Sequence, residues 1–291
     1  MDAAMALTEH LARWLGESRS TPYSPSAFHR RLHRLARKHG LGRNEILLDS
    51  RAVAVWITRM YLEMAAVTYA RLFEPAPLPD LKLVDDFQSL VESAPPPTEE
   101  FHQSRIDSPS ACRRALEVHK RLDGRGEVLM IGDDDGTALA LSLLGEYRLV
   151  SLDLDQRVLD WLKAAQPSVE VVRADVSRLP DGLASRFDAV VTDPVRDTFG
   201  LVFLRAARAC LKPGGRLFLA DHPDWNPKHR RFLRKLDDWG FVLQDVYENW
   251  HAYPAGLPSE ECGDDEEMKW FCDLSHMISL WSHLFVFRGP F

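Results

Sequence analysis

Hydrophobic positions along this chain keep one spacing up to about residue 72 and another after residue 125. In the first stretch they recur at helical intervals. Phe28, Leu32 and Leu35 follow a Ser24-Pro25 start signal and end at Gly40, and Val53, Trp56, Met60, Met64 and Val67 fall on one face of a helix expected over 50–72. Two proline-rich stretches follow, EPAPLPD (74–80) and APPPTEE (94–100). Proline neither continues a helix nor donates to a sheet, so both read as linkers and a domain boundary is expected near Pro97. Beyond it, short apolar runs alternate with amphipathic ones. Strands are expected at 127–131, 148–154, 169–174, 187–192, 216–220 and 241–248. Helices are expected at 136–144, 156–165, 198–211 and 228–239. That alternation predicts an α/β domain over 98–291, a mainly parallel Rossmann-like sheet with helices on both faces, preceded by a small helical domain over 1–97.

Composition narrows the function classes. No apolar run in the 291 residues approaches the ~20 needed for a membrane span, and MDAAMALTEHLARWLG lacks the basic start and unbroken apolar core of a signal peptide. The four cysteines lie far apart without CxxC spacing, which suits reduced thiols in a cytoplasmic protein better than a zinc site. Arg30, Arg31, Arg34, Arg37 and Lys38 make one N-terminal helix basic. A solvated helix face explains this stripe better than a nucleic-acid grip, and the net charge of −7 also disfavours nucleic acid as a partner. The apolar N-terminal helices leave a homodimer open.

The chemistry gathers at the ends of the expected strands. VLMIGDDDGTALAL (128–141) has the frame of a nucleotide-binding strand, turn and helix, but Asp133, Asp134 and Asp135 fill the turn after Gly132. Asp153 ends the second strand, where a carboxylate can accept hydrogen bonds from both ribose hydroxyls. Asp175 follows the third strand and could accept from an adenine amino group. Asp193 follows the fourth, in VVTDP. A single aspartate after a strand is often only a cap or turn former. A series of them, each after its own strand, points to one ligand site at the carboxyl edge of the sheet.

This arrangement resembles the class I S-adenosylmethionine-dependent transferase fold over residues 125–222, including LKPGGRLFLA. In that fold the loop is glycine-rich, and the methionine end of the cofactor lies close to it. Here Asp134 stands where a middle glycine is usual. Two carboxylates about 5 Å apart repel by about 3 kcal/mol at an effective dielectric near 20. An acidic loop therefore disfavours a cofactor carboxylate. It favours decarboxylated S-adenosylmethionine, which ends in an ammonium and carries a second positive charge on sulfur. One of the aspartates is expected to cap the following helix.

GDDD, the LDxD strand, TDP, the FHQSRIDSPSACRRALEVHKRL segment (101–122) and VYENW (246–250) together resemble the branched-chain polyamine synthases, that is, the bis(aminopropyl)spermidine synthases. The likeness runs from about residue 100 to the end. It implies aminopropyl transfer from decarboxylated S-adenosylmethionine to an amine of a linear polyamine such as spermidine, with release of methylthioadenosine. The resemblance and the fold together suggest Asp134 and Asp193 as the pair flanking the reaction centre, one of them the base. Gly132, Asp133, Asp135, Asp153, Asp175 and Gln103 would hold the cofactor. Asp197, Tyr247, Asn249 and Trp250, with Tyr253 nearby, would face the acceptor. No metal is needed. Val195 stands where the family often has a second proline, so the acceptor could differ, and the acidic segment 260–267 reads as a solvated loop or a lid. A methyltransferase or aminocarboxypropyl transferase using intact S-adenosylmethionine is the alternative.

Overall fold

The computed structural model describes residues 78–195, 199–223, 226, 228–254 and 279–291. The expected N-terminal helices, Asp197 and the acidic segment 260–267 lie outside these residues. The described residues belong almost wholly to one unit, Pro75–Tyr253 with Trp281–Phe291. Met1–Glu74 and Pro254–Leu280 form another.

The elements in chain order are α1 (Leu81–Val91), a 3-10 turn (Glu99–Phe101), α2 (Ser108–Leu122), β1 (Arg125–Ile131), α3 (Thr137–Ser142), β2 (Glu146–Asp153), α4 (Gln156–Ala165), β3 (Glu170–Arg173), β4 (Phe187–Thr192), α5 (Gly200–Cys210), β5 (Leu211–Asp221), α6 (His229–Asp238), β6 (Val242–Pro254) and β7 (Ser279–Arg288). They build one seven-stranded sheet in the order β3-β2-β1-β4-β5-β7-β6. β1 pairs in parallel with β2 on one side and β4 on the other, with Ile131 opposite both Leu152 and Thr192. The chain leaves β1 for β2 in one direction and later reaches β4 in the other. The crevice between β1 and β4 is therefore the point where strand order reverses, where open α/β sheets bind ligands.

Burial follows from the sequence of the central strands. Val128, Leu129, Met130 and Ile131 are all essentially inaccessible, as are Val190, Leu217, Phe218 and Leu219. A strand apolar on both faces needs cover on both faces. On one of them Leu129, Ile131 and Val190 pack with Leu204 and Ala207 of α5 and Phe232 and Leu236 of α6. Helices α2, α3 and α4 start on aspartate or glycine. Asp107 accepts from Ser110 N, Asp155 accepts from Arg157 N, and Gly136 begins α3 with a positive φ of 71°.

Three expectations change. The boundary near Pro97 falls inside the sheet-bearing unit, because α1 lies between the two proline stretches. α1 buries Val84 and Phe87 and packs on α2 and α3. The Pro-rich flanks are real, but LKLVDDFQSLV between them carries its own apolar stripe. The strand expected at 216–220 begins earlier, with LKPGG as the irregular start of β5. Pairing with β4 jumps from Phe187–Leu211 to Ala189–Arg216, and Gly214, at φ 72°, donates its N–H to Pro290 O at 2.8 Å. The last expected strand is longer than foreseen, and β7, which the periodicity reading omitted, pairs antiparallel with β5 from Arg216–Arg288 to Asp221–His283. β7 thereby delivers Ser282 and His283 to the rim where the carboxylates gather.

Gly136 is the most demanding position in the loop. Its φ is left-handed, and a Cβ there would lie 2.8 Å from the Trp161 ring. Gly136→Ala is expected to destabilise the fold by about 2 kcal/mol or more, from the backbone penalty and the forced shift of Trp161 together. Denaturant unfolding of the variant against the parent measures it.

Candidate active site

The three loop aspartates have different surroundings. Asp133 turns inward and is buried. Its carboxylate accepts from Ser151 Oγ of β2 at 2.8 Å and, weakly, from Ala138 N at 3.3 Å near the start of α3. Burial, then the neighbouring Asp135, push its pKa well above the usual carboxylate range. Asp135 is also buried. It accepts from Thr137 Oγ1 at 2.8 Å and forms an ion pair with Arg114 of α2. Arg114 is itself buried. Burial lowers its pKa, but Asp135, Asp193 and Tyr253 outweigh that and leave it raised.

Asp134 differs from both. Its Oδ2 is shut off from solvent and has no hydrogen-bond partner among the described residues. Burial first, then Asp135, Asp193 and Asp153, push its pKa up to about 7, while Arg105 opposes the shift. Arg105 donates through Nε to the backbone oxygen of Asp134 at 2.7 Å and through Nη2 to Pro95 O at 2.7 Å, and its guanidinium lies 5.5 Å from the Trp161 ring centre. This fixes the loop backbone, while the Arg105 charge reaches the Asp134 side chain only through space.

The neighbouring strand ends supply the rest. Thr192 Oγ1 donates to Ile131 O at 3.0 Å and ties β4 to β1 just before Asp193. Asp193 accepts from the Tyr253 hydroxyl. Gly132, at φ 73°, donates to Leu152 O at 3.0 Å, which continues the β1–β2 pairing into the loop. Asp153 accepts from Asp133 N at 3.3 Å and from Asp155 N at 2.8 Å. Burial raises its pKa against these backbone bonds. Each carboxylate oxygen can accept twice, so capacity for two hydroxyls remains. Gln103 accepts from Thr98 N at 3.0 Å and donates to Asp155 Oδ2 at 3.0 Å, so it clamps the segment before α2 to the start of α4. Asp175 is exposed, and hydrogen bonds from Ser177 hold its pKa low.

The structure thus brings Asp134 and Asp193 close enough to repel each other, with Asp135 and Asp153 beside Asp134. It does not bring every expected acceptor residue to them. Tyr247 lies six strand residues before Tyr253, a span of about 20 Å when extended. Its hydroxyl donates to Glu117 at 2.8 Å and accepts from Arg121 at 3.0 Å, and its ring lies 4.6 Å from that of Trp250. Asn249 adopts a φ of 50° and donates its N–H to His283 Nδ1 at 2.9 Å. Trp250 is held by its carbonyl, which accepts from Arg113, and its Nε1 is buried with no partner among the described residues. Sequence reasoning missed Arg105, Arg114, His251 and Ser282. Arg114 left a trace, since it falls in the stripe of Ala111, Ala115 and Val118 on α2, where a charge needs a buried partner.

The family model of the branched-chain polyamine synthase A C-terminal domain matches residues 82–269. The N(4)-bis(aminopropyl)spermidine synthase of Thermococcus kodakarensis is 29% identical over 185 residues, 59% of this chain and 53% of the relative. The chain spans about half the length of the curated relatives it matches. Among solved structures, the Thermus thermophilus branched-chain polyamine synthase C9 mutein, in complex with N4-aminopropylspermidine and 5'-methylthioadenosine, superposes with a TM-score of 0.60. Its sequence identity is 23%, over 73% of this chain and 64% of that one. A protein from Pyrococcus horikoshii, provisionally described as an RNA methyltransferase, gives 0.55 at 16% identity, over 72% of this chain and all of its own. Both likenesses are of fold, the class I methyltransferase-type sheet.

Two stability tests follow from the loop. Asp134 has its pKa near 7 folded and near 4 unfolded, so the folded state holds a proton that the unfolded chain has lost. Stability from this group falls as pH rises from about 4 to 7. Asp134→Asn removes that loss and should gain on the order of 1–3 kcal/mol over the parent at pH 8, and little at pH 4, in denaturant unfolding. Arg114→Met strands the Asp135 charge and should destabilise by about 3–5 kcal/mol at neutral pH by the same measurement.

Proposed function

This chain belongs to the branched-chain polyamine synthase A C-terminal domain family, and we propose that it moves an aminopropyl group from decarboxylated S-adenosylmethionine to an amine of a linear polyamine such as spermidine. The product is a branched polyamine, and methylthioadenosine leaves. The observation that carries this reading is the bare, buried Oδ2 of Asp134 beside Asp193 at the strand-order reversal. Around the crevice Asp133, Asp134, Asp135, Asp153 and Asp193 stand against the guanidiniums of Arg105 and Arg114. Even with Asp133 protonated, the balance is negative. A doubly cationic co-substrate answers that balance, whereas a cofactor carboxylate would add to it.

In the proposed reaction the amine lone pair attacks the methylene carbon bonded to the sulfonium. A C–N bond forms as the C–S bond breaks, and the sulfonium becomes a neutral thioether. The nitrogen must arrive unprotonated, and after attack it gives up its remaining proton. Asp134 and Asp193 are the carboxylates placed to take protons; Asp134, with its pKa near 7, can both accept and release one at neutral pH. Asp153 would accept from the ribose hydroxyls, and exposed Asp175 from the adenine edge. Gln103 supports the nucleotide site through Asp155. Trp250 would wall the acceptor side, and Tyr247 supports it by packing a tilted ring against Trp250. The helical accessory region expected ahead of the sheet-bearing part is kept in the same proposal and carries no chemistry in it. Among the described residues no helix is long and apolar enough to cross a membrane, and no group of three or more His, Cys, Asp or Glu could hold a metal.

The test is incubation with spermidine and either decarboxylated or intact S-adenosylmethionine, followed by mass spectrometry. Products heavier by one or two aminopropyl units with the decarboxylated form support the proposal. A methylated product from the intact form would overturn it. Asp134→Asn should reduce the preference for the decarboxylated co-substrate by roughly tenfold or more, read as the ratio of binding constants by calorimetry.

A further inference from the structure

Behind Asp193 runs a line of hydrogen bonds that ends at a buried imidazole. The Tyr253 hydroxyl donates to Asp193 Oδ2, and its oxygen lies 2.9 Å from Ser282 Oγ. Ser282 Oγ lies 3.0 Å from Nδ1 of His251. All three side chains are buried. His251 and Tyr253 stand two residues apart on β6 and so share one face of the sheet, and Ser282 comes from β7.

Elementary chemistry fixes the direction of this line. An ionised carboxylate only accepts, so the phenol proton points to Asp193. The phenol oxygen, its one hydrogen given to Asp193, accepts from the serine hydroxyl. The serine oxygen, having given its hydrogen, accepts from His251, so Nδ1 of His251 carries a proton. Burial first, then Arg114 and Arg113, hold the His251 pKa well below its ordinary value, so the ring is neutral and Nε2 is bare. Nε2 is indeed buried with no hydrogen-bond partner among the described residues. An apolar side chain would fill this place without stranding a polar atom. What the histidine adds is a fixed N–H donor.

We infer that Tyr253, Ser282 and His251 are positioning residues for Asp193, a one-way chain of donors that keeps this carboxylate ionised and sets the angle at which it meets the acceptor nitrogen. The inference rests on the reading that Asp193 faces that nitrogen. Other charges bear on it: Arg114 of α2 attracts the Asp193 charge, Asp134 of the loop repels it, and His283 of β7 acts on His251. The donor chain is what favours the ionised form of the carboxylate in this balance.

Two experiments on the full chain separate this inference from the functional proposal. Nitrogen-detected NMR of labelled histidine reads the tautomer without any turnover. His251 should remain neutral and Nδ1-protonated from about pH 6 to 9, and Ser282→Ala should perturb its Nδ1 signal. A neutral ring protonated at Nε2 would overturn the relay whether or not the protein transfers aminopropyl groups. Given transfer by the parent, Tyr253→Phe keeps the ring and loses the donor. It should lower kcat by about tenfold or more and move the acid limb of the kcat/KM profile up by about one pH unit. His251→Leu should move the limb the same way, whereas His251→Asn, which can still donate to Ser282, should keep most of the rate. A uniform loss of rate with an unmoved limb in Tyr253→Phe and Ser282→Ala would reduce these residues to packing. Transfer absent from the parent, with the expected tautomer intact, would count against the functional proposal alone.

Discussion

The buried pair between Arg114 and Asp135 is the interaction on which the site depends. A charge shut away from water must be matched, and a single guanidinium from α2 matches one loop carboxylate. The pair ties α2 to the loop and to the start of α3. It also divides the labour of three adjacent aspartates. Asp133 is drawn under the loop by Ser151 and the N-terminus of α3, and Asp135 is spent on Arg114. Asp134 alone presents a carboxylate that the described protein does not satisfy. An unsatisfied buried oxygen is a source of instability in a resting protein and of affinity when a cation arrives. That is the physical content of a loop with aspartate at its middle position.

Everything else at the site arranges partners around that oxygen. Parallel pairing of β1 with β2 and β4 makes the strands end at one level, so Asp153 and Asp193 flank the loop. The antiparallel β7 brings a serine to the same rim, and β6 brings a tyrosine and a histidine. The cationic co-substrate proposed for this chain calls for charged carboxylates in a place of low dielectric, and among them Asp135 and Asp193 are held by buried donors, Arg114 and Tyr253.

How far the site was legible depended on whether a residue's neighbours in space were also its neighbours in sequence. GDDDG, LDLD and VVTDP could be read because strand periodicity puts each motif at a strand end, and parallel sheets align those ends. The linker readings of 74–80 and 94–100 left the stretch between them without an element, since proline flanks hide a short amphipathic helix, α1, whose partners α2 and α3 come later in the chain. Tyr247 could not be told from Tyr253 by composition. The difference is six residues of strand, which place one phenol on Glu117 and Arg121 and the other on Asp193. Arg114 and Ser282 could not have been assigned to the site, because their partners come from other elements.

By itself, then, the sequence determined the alternation of strands and helices, the carboxyl edge as the place of chemistry, and the excess of negative charge there. These are local or periodic properties, written in spacing and residue type. Tertiary structure decided which aspartate is paired, which is buried against a helix end, and which is left bare. It also decided that β7 lies between β5 and β6, so that a hydroxyl from one strand and an imidazole from another line up behind Asp193. Those outcomes depend on long-range contacts of buried polar groups, whose energies are set by the partners that folding brings to them.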